Sequence, residues 1–151
     1  MFRLAPLLPI SLTLCCLGFV LALLSVGGEL VHHPTHAEWR QAIVKAAAAH
    51  IPIDATSCGM VELREDASNA QACVKAAMAK GSPFWVLSQA RGEDSIVWSL
   101  LLGDGTANYR AVEFDSYGWE KQGHPSFTSR EVSCSSPLFG QAQAAVWCNR
   151  R

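Results

Sequence analysis

Six cysteines, five histidines and a scatter of carboxylates are the residues of this chain that could do chemistry, and their spacing decides which chemistry is open. Cys15 and Cys16 lie in an apolar N-terminal segment; Cys58, Cys73, Cys134 and Cys148 lie beyond it. No Cys-x-x-Cys spacing occurs, which argues against a redox pair or a zinc site. Four cysteines in an exported domain imply two disulfides, for which three pairings are formally possible. The local pairing is favoured, Cys58 with Cys73 and Cys134 with Cys148. Each would close a loop of about 15 residues and stabilise by about 3 kcal/mol through the unfolded chain.

His32, His33 and His36 suggest a surface metal site, because imidazoles four apart share one face of a helix. Pro34 and Thr35, however, put His32 and His33 ahead of any helix cap, and no local Cys or carboxylate completes a shell. The cluster therefore reads as a solvated linker, with no metal and no cofactor. His50 and His124 are isolated in sequence, and either acts as a base only if the fold delivers it to a nucleophile. The carboxylates Glu62, Glu65, Asp66, Glu93, Asp94, Glu113 and Asp115 are numerous enough for a glycosidase-type pair. Most of them fall at turns or caps, where a carboxylate has a structural job. Gly-x-Ser-x-Gly, a phosphate-binding glycine loop and His-Glu-x-x-His are all absent from the sequence.

Something must export and position these residues. Leu4 to Val26 contains no charged residue, and Arg3 flanks it with positive charge. Ser25-Val26-Gly27 places small residues where signal peptidase needs them for a cut before Gly28. The alternative is an uncleaved anchor, since about 20 apolar residues span a bilayer. The organisation expected is a signal or anchor over 1–27, a linker over 28–34 and a single domain over 35–151. The first 27 residues hold one of the 12 basic residues and none of the 13 acids, so the remainder is mildly acidic. No run of like charges marks a nucleic-acid partner. Contact with a membrane is expected only through an uncleaved N-terminal segment.

Thr35 and Glu38 form a capping box for a helix over about 36–50, with Pro52 as its stop. Ser68 and Gln71 suggest a second capping box, and Gly81 a left-handed terminator. Between these helices the short apolar run Met60, Val61 and Leu63 suggests one edge strand. Phe84–Ala90, Ser95–Leu102 and Ala107–Phe114 read as strands joined by two-residue turns at Gly92-Glu93 and Asp104-Gly105. That register sets Trp85 opposite Leu100, Leu87 opposite Trp98, Leu100 opposite Tyr109 and Trp98 opposite Ala111. A fourth strand runs from Phe127 to Cys134, and Ala142–Trp147 reads equally as helix or strand. The fold class is α+β: two helices, one on each face of an antiparallel meander of about four strands, stapled by two disulfides.

The order of Cys58, a helix bearing Cys73, Pro83-Phe84-Trp85, Asp94-Ser95, the Asp104-Gly105 turn, Phe114-Asp115-Ser116 and Cys134 resembles small exported bacterial domains of unknown function. The resemblance spans the middle and end of the chain. It implies a helix-plus-meander fold and an envelope location, and it carries over no catalytic residue.

The function these features point to is a non-enzymatic binding domain of the bacterial envelope, of inhibitor or immunity type, with an envelope protein as partner. Its location is periplasmic or secreted, or else outside the cytoplasm on an inner-membrane anchor. An aromatic sheet face, or the loop carrying Tyr117, Trp119 and His124, is the expected contact. The alternative is a small envelope hydrolase using His124 or a carboxylate pair.

Overall fold

The computed structural model describes residues 34–92, 95–116, 126–140 and 146–150, the last without the Arg150 side chain. Helix α1 (His36–Ala48) begins where the sequence requires. The Thr35 hydroxyl accepts the Glu38 N–H at 3.2 Å, and the Glu38 carboxylate accepts the Thr35 N–H at 2.7 Å, completing the capping box. Its buried stripe is Trp39, Ile43 and Ala47.

Strand β1 (Thr56–Val61), helix α2 (Ser68–Lys80) and strand β2 (Phe84–Arg91) form a β-α-β crossover, so β1 pairs with β2 in parallel. The expected Ser68–Gln71 capping box is absent. Ala67 is the N-cap and caps with no side chain; the Ser68 hydroxyl donates instead to Asp66 at 2.8 Å, and the Gln71 amide donates to the Gly140 carbonyl at 2.8 Å. Ser68 is already the first helical residue, one position past the cap, and Asp66 accepts its N–H at 3.0 Å as well as its hydroxyl. Gly81 closes α2 in the left-handed conformation, as anticipated.

Strands β3 (Ile96–Gly103), β4 (Tyr109–Asp115), β5 (Thr128–Phe139) and β6 (Val146–Arg150) continue the sheet antiparallel, in the order β1-β2-β3-β4-β5-β6. The architecture is thus α+β, but with a six-stranded mixed sheet in place of about four antiparallel strands. The run at Met60 and Val61 is a genuine edge strand recruited by the crossover, and the tail beyond Cys134 forms the β5–β6 hairpin.

Each face of the sheet has its own roof. Helix α1 packs Trp39, Ile43 and Ala47 on Leu87, Trp98, Leu100, Leu102, Val112 and Phe114. Helix α2 packs Ala70, Val74 and Ala77 on Phe84, Val86, Leu101 and Ala111, and the curl of the sheet brings Cys134 and Val146 into the same cluster. Burying side chains of this size contributes roughly 1.5–3 kcal/mol each before entropy is counted.

The register differs from the expectation. Trp85 faces Leu102 and Leu87 faces Leu100, a slip of two that keeps the face. Between β3 and β4 the slip is three, so Leu100 faces Val112 and Trp98 faces Phe114, while Tyr109 and Ala111 turn to the α2 side. Arg110 lands opposite Leu102 at the rim, where its guanidinium reaches the His50 carbonyl and Glu131, both at 3.2 Å. The cause is Asp104. Its carboxylate accepts from the Thr106 N–H at 2.7 Å and from the Asn108 side chain at 3.1 Å, drawing residues 104–108 into one loop in place of a two-residue turn.

Candidate functional site

The four cysteines beyond the N-terminal segment are bonded in the local pairing, Cys58 to Cys73 and Cys134 to Cys148, with Cα separations of 5.4 and 5.2 Å. Both bonds sit beside β-bulges. Gly59, at φ 87°, makes one between Ser57 and Met60, and the other lies between Cys134 and Ser136. The second bulge lets Cys134 and then Pro137 and Phe139 all turn inward, so Cys134, opposite Arg150, shares a face with Cys148, opposite Pro137. These sulfurs tie α2 to β1 and β6 to β5.

Tyr117, Trp119 and His124, the residues expected to bind, lie outside the described residues, but both ends of their segment are fixed. Ser116 is buried, its N–H donating to the Ile96 carbonyl at 3.2 Å and its hydroxyl accepting the Ile96 N–H at 2.9 Å. Phe127 packs edge-on against Phe114 at 5.5 Å and Trp39 at 6.4 Å between ring centroids. The His50 ring lies edge-on to Phe114 at 6.2 Å between centroids.

The carboxylates divide into local structural roles. Glu62 pairs with Arg40 at 2.7 Å, and Glu65 accepts the Glu62 N–H at 2.8 Å. The Ser68 N–H and hydroxyl hold Asp66 below the usual carboxylate range. Glu113 bonds Arg130 at 2.6 Å across β4 and β5, and Asp115 lies on the same face. The Glu113 bond first, and the nearby Asp115 charge with it, hold Arg130 more firmly protonated. A guanidinium shared by two carboxylates suits an ion pair, and a proton donor for glycoside cleavage needs the reverse environment. In the same row of the sheet, Ser88 and Ser99 are buried opposite one another. Among the described residues no group of three or more His, Cys, Asp or Glu side chains could hold a metal ion.

What the residues do present is an apolar surface at the β5–β6 hairpin. Leu138 and Trp147 are cross-strand partners on its outer side, and Leu138 is 48% exposed. With Phe139, Gly140 and Cys148 they line an open groove of about 430 Å³. Beside it the Lys75 ammonium sits 4.8 Å from the centre of the Phe139 ring, a cation–π contact, and Gln71 bonds Gly140. Sequence reading left this pair out because the tail was undecided between helix and strand. The cysteines alone would not have supplied it: Cys148 directly opposite Cys134 would set Leu138 against Ala144, and it is the bulged register, with Cys148 opposite Pro137, that brings Leu138 to Trp147.

The fold and the two disulfides define a stapled α+β domain of an oxidising, extracytoplasmic compartment. No helix among the described residues is long and apolar enough to cross a membrane. No family model, curated protein or solved structure matches the chain.

Proposed function

We propose that this chain is an exported, non-enzymatic binding domain of the bacterial envelope that engages another envelope protein, in the manner of an inhibitor or immunity factor. The observation that carries the proposal is the Leu138–Trp147 pair. Helices α1 and α2 cover both faces of the sheet, so apolar surface left open at its hairpin has no packing role among the described residues, and such surface marks recognition sites. Trp147 supplies the aromatic anchor that dominates many interfaces, and Tyr117 with Trp119 are a second contact in this reading. The N-terminal segment delivers the domain, as a cleaved signal or as an inner-membrane anchor with the domain outside the cytoplasm.

A hydrolase using His124 or a carboxylate pair is the competing function, and the Arg130 bridge to Glu113 works against the second form of it. The two are separated by one pair of assays. Immobilised protein should retain a defined envelope protein from extract, and Trp119→Ala should weaken that retention; retention of nothing above bare resin defeats the binding reading. Hydrolysis of peptidoglycan or ester substrates that disappears in His124→Ala would establish the enzyme instead.

A further inference from the structure

Charge is segregated along this chain in a way its net value of −1 conceals. No Asp or Glu occurs between Asp66 and Glu93, and none after Glu131, although the chain holds 13 of them. Those two acid-free stretches contain α2 and the β5–β6 hairpin from Val132 onward, and the fold brings them together. Gln71 on α2 bonds Gly140 at 2.8 Å, and Lys75 on α2 caps the Phe139 ring at 4.8 Å. The outer face of α2 exposes Lys75 and Lys80 among Ala72, Ala76 and Ala79, so it is smooth as well as cationic. The hairpin adds the Leu138–Trp147 groove. Phe139 lines the groove and Lys75 stands over its ring, so the apolar groove has a cationic side chain at its edge, and neither stretch contributes an acid to it.

From this we infer that the surface formed by α2 and the β5–β6 hairpin docks an acidic polypeptide segment of the partner. The inference rests on the binding function proposed above and names the partner's chemistry. Apolar side chains of the segment fill the groove beside Leu138 and Trp147, and its carboxylates meet Lys75 and Lys80. Complementary charge sets specificity and association rate, while the desolvated apolar contacts hold the complex. The alanines on α2 let the partner backbone come close between the two lysines. Anionic lipid and a second copy of the chain are the other occupants such a surface could take, and the test distinguishes them.

The full chain is expressed in its own envelope with photo-reactive benzoylphenylalanine in place of Leu138, or in place of Ile53 as a fully exposed position outside this surface. Irradiation should give a protein adduct from position 138, mapped by mass spectrometry to a partner peptide rich in Asp and Glu. Lys75→Glu with Lys80→Glu should cut its yield by about tenfold or more, as like charges now face each other. An adduct with lipid, with a second copy of the chain or with a peptide lacking excess acid overturns the inference, as does a yield indifferent to charge reversal. Adducts from position 53 alone overturn this surface but leave the binding function standing. Adducts from neither position overturn both.

Discussion

At the scale of single residues, the loop between β3 and β4 shows how one side chain can redirect a sheet. Asp104 gathers the Thr106 N–H first, then the Asn108 and Thr106 side chains, and these bonds lower its pKa from 3.8 to about 2. A carboxylate shifted down stabilises the fold above its unfolded pKa and loses that contribution as pH falls through the folded value. The stability difference between the wild type and Asp104→Ala should therefore be constant above about pH 5 and shrink between pH 4 and 2, as followed by urea midpoints. Gly105 is fixed by a separate constraint, since at φ 84° an added Cβ would run into the Gly81 carbonyl oxygen at the end of α2. Gly105→Ala should cost about 2 kcal/mol in chemical denaturation, because neither backbone segment has a flexible end to give way. Asp104-Gly105 looked in sequence like a two-residue turn. Nothing in that dipeptide announces that Thr106 and Asn108 will also bind the carboxylate, so the three-residue slip that turned Tyr109 to the other face was not readable.

At the scale of elements, what was legible was local, and what was missed depended on partners far along the chain. The capping box at Thr35 and Glu38 works because both halves lie within one turn, and the cysteine pairing succeeded because each bond closes only 15 or 14 residues. The parallel pairing of β1 with β2 escaped notice because a six-residue strand broken by a bulge at Gly59 carries little periodicity of its own. Ser68 fits the sequence pattern of a cap, yet Asp66 claims its hydroxyl. Each disulfide spans an element boundary, so its removal should be felt throughout the domain. Replacing Cys58 and Cys73 together by Ser, or Cys134 and Cys148 together, should lower unfolding stability by about 3 kcal/mol on the chain-entropy scale, measured by guanidinium denaturation under non-reducing conditions. Loss of the second bond should also loosen the Leu138–Trp147 register, readable as faster amide exchange in β6 than in β2 or β3.

At the scale of the whole molecule, the sequence pointed to an α+β domain stapled by two local disulfides, and Cys58–Cys73 and Cys134–Cys148 are those bonds. Of the two contacts the sequence suggests, an aromatic sheet face or the loop at Tyr117 and Trp119, the first is covered, because α1 packs on one face and α2 on the other. Among the described residues the hairpin leaves an apolar cross-strand pair open, with Leu138 half exposed against Trp147, in a stretch of sequence free of acids. Binding through such a surface combines apolar contact with screened charge, so raising salt from 0.05 to 0.5 M should weaken the complex without abolishing it. The most direct test is the affinity of Leu138→Ser for the retained envelope partner, measured by calorimetry beside the wild type. The exchange should leave the circular dichroism and both disulfides unchanged while weakening binding by about tenfold or more, as truncating an anchor does. Unchanged affinity in a correctly folded Leu138→Ser protein would contradict the assignment of the hairpin as the binding surface.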